Sequence, residues 1–145
     1  MKRSIFMVAL MAIILTACAP TETGTPRIAS LGSHQDVPTT EMQDISADDY
    51  LKQYDALLIT KDYIETSDQQ LKKQLNKLDM PILFSDFDAK SAPAFLTTDL
   101  PLADIDMPER GEIQMMHKGA AVFAILDTSK EALHELYEKI AGISK

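Results

Sequence analysis

The sequence predicts an α/β domain, specifically a small three-layer sandwich with a mostly parallel sheet of four or five strands and about three helices. Two kinds of local signal predict it. Short apolar runs bounded by polar residues occur at Arg27 to Leu31, Ala56 to Thr60 (ALLIT), Pro81 to Phe84 (PILF) and Ala120 to Leu126. Runs of four to eight apolar residues suit strands buried on both faces. Between or after them come capping-box patterns followed by leucines at helical spacing. Their alternation along the chain is the third observation, because strand and helix in turn is the pattern of a layered α/β sheet.

The elements are expected in the following order. A strand over Arg27 to Leu31 leads into the polar, proline-containing stretch His34 to Asp44, which reads as a loop. Ser46-Ala47-Asp48-Asp49 then offers an N-cap with an acid three residues on, and Tyr50, Leu51 and Tyr54 fall on one helical face. After the strand ALLIT, Ser67-Asp68-Gln69-Gln70 is a second capping box, with Leu71, Leu75 and Leu78 behind it and Pro81 as the stop. The strand PILF follows. From Ser85 to Arg110 three prolines, Pro93, Pro101 and Pro108, punctuate the chain, and only Ala94 to Thr98 reads as extended. Glu112 to Lys118 predicts a strand that turns through Gly119 into Ala120 to Leu126, antiparallel at the sheet edge. Thr128-Ser129-Lys130-Glu131 starts a last helix carrying Leu133, Leu136, Tyr137 and Ile140, with Gly142 as its expected C-cap.

The N-terminus carries a different kind of information. Lys2 and Arg3 precede Ile5 to Leu15 (IFMVALMAIIL), an uncharged run, and small residues come before Cys18. This is the order of a secretory signal peptide. The run is too short for the roughly 20 residues that a permanent membrane span needs. Leu15-Thr16-Ala17-Cys18 resembles the lipobox of bacterial lipoproteins. The resemblance implies cleavage before Cys18 and a diacylglyceryl group on its sulfur, with two or three acyl chains giving stable anchoring. It predicts a signal peptide over 1–17, a lipidated flexible spacer over 18–26 (through APTETGTP) and one α/β domain over 27–145. The expected location is the extracytoplasmic face of a cell membrane. Ala19 in place of aspartate resembles lipoproteins not retained at the inner membrane of two-membrane bacteria.

Charge and cysteine content narrow the chemistry. The chain has 145 residues and a formal net charge of −8, and removing residues 1–17 takes away Lys2 and Arg3 and no acid. So acidic a chain has little to offer phosphate backbones, and its net charge weighs against nucleic acid and against direct contact with anionic headgroups. Cys18 is the only cysteine. Once it is acylated, disulfide stabilisation and thiol catalysis are both absent. No cofactor is expected beyond the covalent lipid.

Ligands of open parallel sheets sit beyond the carboxyl ends of the strands. Here those ends carry Ser33, His34 and Asp36, then Lys61 and Asp62, then Ser85, Asp86 and Asp88, and finally Asp127 and Thr128. Gathered together, His34, Asp36, Asp62, Asp86, Asp88 and Asp127 have the oxygen-rich character that suits a divalent cation or a polar ligand. The stretch ILFSDFDAK resembles the first motif of haloacid dehalogenase-type phosphotransferases, which implies nucleophile and acid/base roles for Asp86 and Asp88 with Mg²⁺ between them. It departs from that motif at Ser85 and Lys90 and in lying on the third strand. Met115, Met116 and His117 are soft ligands of the kind that bind Cu(I), but strand alternation sends Met116 to the opposite side from the other two. His134 sits between Leu133 and Glu135 on the expected solvated face of the last helix. No nucleophile elbow or phosphate-cradling glycine loop is present. YDALLITKDYIETSDQQLKKQLNKLDMPILF is similar in rhythm to one lobe of bacterial solute-binding lipoproteins, which implies a ligand-binding or partner-binding surface.

Two functional expectations follow. The first is a membrane-anchored accessory module that binds another envelope protein, in transport, in an envelope complex or in immunity or exclusion, and that is not an enzyme. In it the proline-broken segment Ser85 to Arg110 is an exposed contact surface. The second is a small-ligand or divalent-metal receptor, or a hydrolase, that uses the strand-end acids and requires Asp62, Asp86 and Asp127 to converge.

Overall fold

The computed structural model describes residues 24–45, 48–67, 69–87, 90–100, 104–105 and 112–145. It is an α/β arrangement of six strands and five helices. The strands are β1 (Ile28–Leu31), β2 (Thr40–Met42), β3 (Ala56–Thr60), β4 (Ile82–Ser85), β5 (Ile113–His117) and β6 (Ala120–Ile125). They form one sheet in the order β2-β1-β3-β4-β5-β6. The ladders joining β2, β1, β3 and β4 are parallel, and those of β4 with β5 and of β5 with β6 are antiparallel. The expected sheet of four or five mostly parallel strands is therefore corrected to a mixed sheet of six. Because only β5 is reversed, β1, β2, β3, β4 and β6 all point the same way.

Strand alternation divides the core in two. Ala29, Leu31, Leu57, Ile59, Ile82, Phe84 and Met116 face one side, where they meet residues of α1 (Asp48–Leu51), α2 (Lys61–Glu65), α3 (Gln69–Leu75) and α4 (Ser91–Thr97). Ile28, Ala56, Leu58, Leu83, Ile113, Met115 and Ile125 face the other, under α5 (Lys130–Ile143). Every residue of β3 and β4 is buried, as their continuous apolar character predicts. In α5, Leu136 and Ile140 are fully buried against the sheet, with Leu133, Tyr137 and Ile143 beside them. Ser129 caps this helix, its Oγ accepting the N–H of Ala132 at 3.3 Å.

Several local expectations are corrected. The loop read over His34 to Asp44 contains β2, an edge strand of three largely exposed residues, Thr-Glu-Met, with no apolar signature of its own. It is held by its ladder to β1 and by the Thr39 hydroxyl donating to Ser30 Oγ at 2.8 Å. Lys61 and Asp62 follow the strand as expected, but they open a helix that the sequence did not predict, α2, directly after β3. Thr60 ends the strand and also caps the helix, its Oγ1 accepting from Tyr63 N–H. Ala94 to Thr98 is not extended. It lies in α4 and at its C-cap, where Pro93 falls in the first turn and so loses no helical hydrogen bond. The carboxyl end of α4 is closed from outside: Asn76 Nδ2 donates to Leu96 O at 3.2 Å, and Lys72 Nζ donates to Thr98 O and Leu100 O, both at 3.0 Å. Gly142 does not end α5, which runs to Ile143 and is capped by Ser144.

The hairpin expected at Gly119 is present. Lys118 and Gly119 both adopt positive φ, as a tight two-residue turn between antiparallel strands requires. The edge strand β6 is largely exposed, with Val122 at 45% and Leu126, just past the strand, at 75% relative accessibility. A register shift opposite Met115 and Met116 interrupts its ladder.

Leu136→Ala, which empties a fully buried site under the sheet, is expected to cost about 2–5 kcal/mol of stability. Ser129→Ala, which removes only the cap, is expected to cost about 1 kcal/mol. Urea titration checks both, as a lowered midpoint with an unchanged slope.

Candidate functional site

The carboxyl ends of five strands lie on one side of the sheet, but four of the residues expected to form a site there, His34, Asp36, Asp86 and Asp127, are held in separate hydrogen bonds. His34 Nδ1 accepts the N–H groups of Asp36 and Val37, both at 3.2 Å, so the ring braces the turn after β1. Asp36 accepts the Thr128 hydroxyl at 2.9 Å, tying that turn to the start of α5. Asp62 is exposed in the first turn of α2, where a negative charge favours the helix. Asp86 sits at φ 65°, accepts the Ser85 hydroxyl and donates its N–H to Glu112 O at 2.9 Å. Asp127 accepts the Ser129 N–H at 2.9 Å. Asp88 and Cys18 lie outside the described residues. Among the described residues no three His, Cys, Asp or Glu side chains are grouped so as to hold a metal ion.

Two further expectations are placed by the fold. Met115 is buried in the core under α5 and Met116 in the core on the other face, so the two thioethers are on opposite sides of the sheet. His117 lies 3.7 Å from Asp79, which also pairs with Lys118 at 3.2 Å. The segment Ser85 to Arg110 contains α4, whose Ser91, Ala92, Phe95 and Leu96 are buried. Residues 101–103 and 106–111 of that segment lie outside the described residues.

The larger concavity lies at the opposite, amino end of the sheet. A cleft of about 710 Å³ opens between the approach to β3, the turn from α3 into β4 and the end of α5. Ile45, Leu51, Leu78, Met80, Pro81 and Ile143 supply its apolar surface. Lys52, Asp55, Gln70, Gln74, Lys77 and Asp79 supply polar groups around it. Gln70 and Gln74 are four residues apart on α3, so one helical face presents both amides. A smaller cleft of about 340 Å³, lined by Pro26, Arg27, Pro38, Thr40 and Gln53 among others, adjoins it through Tyr54, which lines both.

Hydrogen bonds fix this end of the molecule. Asp55 Oδ2 accepts the Arg27 N–H at 2.7 Å, Asp55 N–H donates to Arg27 O at 2.7 Å, and the Ser144 hydroxyl donates to Asp55 O at 3.2 Å. The starts of β1 and β3 and the end of α5 are thus joined at one residue. The Tyr54 hydroxyl donates to that of Tyr50 at 3.1 Å, with ring centroids 5.6 Å apart. That hydrogen bond holds the Tyr50 phenol above its ordinary pKa. Apolar side chains interspersed with amides, charges of both signs and the Tyr54 phenol suit recognition of a ligand surface by shape and hydrogen bonding.

No family model, curated protein or solved structure matches the chain. The cleft residues escape sequence reading because they come from four separate segments and form no motif. The one local signal is the spacing of Gln70 and Gln74.

One glycine supports the carboxyl end. Gly32 has φ +88°, and a Cβ there would fall 2.0 Å from Thr60 Oγ1, the atom that caps α2. Gly32→Ala is expected to destabilise the fold by at least about 2 kcal/mol, measured by chemical denaturation. Hydrogen bonds from Ser129, from its hydroxyl first and its N–H second, hold the Asp127 carboxyl below the usual aspartate range. A carboxyl with a depressed folded pKa adds stability above its unfolded value of about 3.9 and loses it as pH falls through the folded value. Asp127→Asn is therefore expected to flatten the acid limb of the stability profile below about pH 4 and to remove a small increment above it.

Proposed function

We propose that the chain is a lipid-anchored envelope protein whose α/β domain is a binding module, with the amino-end cleft as its recognition surface. The observation that carries the reading is the cleft: about 710 Å³ bounded by apolar side chains, two glutamines and charges of both signs. That combination fits a folded or extended protein segment better than an ion or a small phosphorylated substrate. The lipobox-like Leu15-Thr16-Ala17-Cys18 supports the anchor, and the small, polar residues after Cys18 support a spacer between lipid and domain. The partner class is another envelope protein, in a transport, assembly or exclusion role.

The alternative, a metal-dependent hydrolase or receptor at the carboxyl end, has weaker support. Asp36, Asp86 and Asp127 each serve a local turn or cap, and Asp62 stands exposed on α2. Asp36 and Asp86 held by separate hydroxyls, and Asp127 by a backbone N–H, are poorly placed to serve as shared ligands.

Two measurements test the proposal. Cys18→Ser is expected to abolish incorporation of labelled palmitate and to leave the precursor uncleaved, whereas normal processing of that variant would refute the anchor. A photo-crosslinking residue at Gln74 is expected to give a discrete adduct with one envelope protein in intact membranes, and one at Asp62 none. Equal adducts from both positions, or none from either, would refute the cleft as the recognition surface.

A further inference from the structure

We propose that His34 is a pH-sensitive clasp on the connection between β1 and β2, closed while its ring is neutral and opened by protonation, and that its opening loosens the wall of the smaller cleft. The regulatory meaning rests on the amino end as a recognition surface, while the clasp itself is a property of the fold.

The chemistry of one ring nitrogen supplies the first argument. His34 Nδ1 accepts two backbone N–H groups, those of Asp36 and Val37, both at 3.2 Å. Only the neutral ring with its proton on Nε2 has a lone pair at that position, because both nitrogens of the charged ring are donors. Uptake of one proton therefore sets a further N–H against the two already there, and both hydrogen bonds are lost together. The brace is present at neutral pH and is lost as pH falls, and histidine is the side chain that ordinarily changes charge between about pH 5 and 8. The N–H of Asp36 lies at the exposed surface and can turn to water. Val37 is 1% exposed and belongs to the core under α5, so its N–H regains a partner only if the turn moves.

The path of the chain supplies the second. Residues 32–39 run from the carboxyl end of β1 back to the start of β2, because the two strands are parallel. Pro38, Thr39 and Thr40, immediately beyond the clasp, line the smaller cleft together with Arg27, Gln53 and Tyr54. This wall is otherwise held by the ladder of β2 to β1, by the Thr39 hydroxyl donating to Ser30 Oγ at 2.8 Å and by the Tyr63 hydroxyl donating to Gln43 O at 2.9 Å. A short, exposed edge strand stands at the low end of local stability, where the loss of two hydrogen bonds decides whether it stays in place.

The charged groups around the ring do not stand in for the lost acceptor. Asp36 lies in the turn itself, Glu41 on β2, Lys61 and Asp62 at the start of α2, and Asp127, Lys130 and Glu131 at the start of α5, which meets the turn through Thr128. Asp36 accepts the Thr128 hydroxyl and Asp127 the Ser129 N–H, so both carboxylates are engaged with the start of α5. The window from about pH 7.5 to 5.5 spans the ordinary titration of histidine and stays above the ordinary carboxylate value of about 4.

The test measures amide hydrogen exchange of the full-length protein in detergent at about pH 7.5 and about pH 5.5, expressed as protection relative to the intrinsic rate at each pH. Protection across residues 35–42 is expected to fall on the order of tenfold on acidification, the worth of the two hydrogen bonds, while β3 and β4 keep theirs. His34→Asn supplies an oxygen that accepts an N–H two residues on and does not titrate, and it should hold the protection of 35–42 equal at the two pH values. His34→Ala, with no acceptor, should show the low protection already at the higher pH. Both variants keep His117 and His134, so those rings contribute equally to every comparison. Unchanged protection in the unsubstituted chain, or an equal fall in His34→Asn, would overturn the proposal. A fall confined to Asp36 and Val37, with Thr39 to Met42 unchanged, would overturn the link to the cleft. No partner and no lipid enters these readouts, so they stand apart from the crosslinking and palmitate measurements.

Discussion

The structure depends on one constraint, that strands β1, β3 and β4 must be covered on both faces. Ala56 to Thr60 contains no charged residue and every one of its side chains is buried, so neither face of the sheet centre can meet water. One face is covered by a single long helix, α5, whose Leu136 and Ile140 lie over Leu58, Leu83 and Met115. The other is covered by four short helices, each too brief to be stable without packing. There the aromatic contacts of Phe84, Phe87 and Phe95, with centroids 5.1 to 6.2 Å apart, join strand β4 to α4.

This difference between the faces governs what the sequence discloses. Helix α5 is legible because its cap, its leucine spacing and its length are all local properties. Strands β3 and β4 are legible because burial on both sides demands unbroken apolar runs. Strand β2 is not, since Thr40, Glu41 and Met42 form a strand only because β1 offers a free edge beside them. Helix α4 is not, because its closure depends on Lys72 and Asn76 reaching over from α3 and its interior residues Phe95 and Leu96 have the character of a strand. Helix α2 is missed for a simpler reason: Thr60 does two jobs, and a residue that ends a strand while capping a helix leaves no loop to mark the boundary.

The candidate site divides in the same way. The strand-end acids attract attention because polar residues after apolar runs are conspicuous in a sequence. In the fold they are the residues that make turns and caps possible, which is why His34, Asp36, Asp86 and Asp127 are bound to neighbouring backbone or hydroxyl groups. The cleft is assembled from Ile45, Tyr54, Gln74, Met80 and Ser144, which only the folded chain brings together.

The open edge at β6 has a consequence for association between copies. An uncharged edge strand flanked by Val122 and Leu126 invites another copy to pair with it, and the two-fold arrangement that continues a sheet sets the strands antiparallel. Such a pair places the amino ends of its members on opposite sides. The clefts at the amino ends of the two copies would then open in opposite directions. The register shift opposite Met115 and Met116, which interrupts the outermost ladder, works against such pairing.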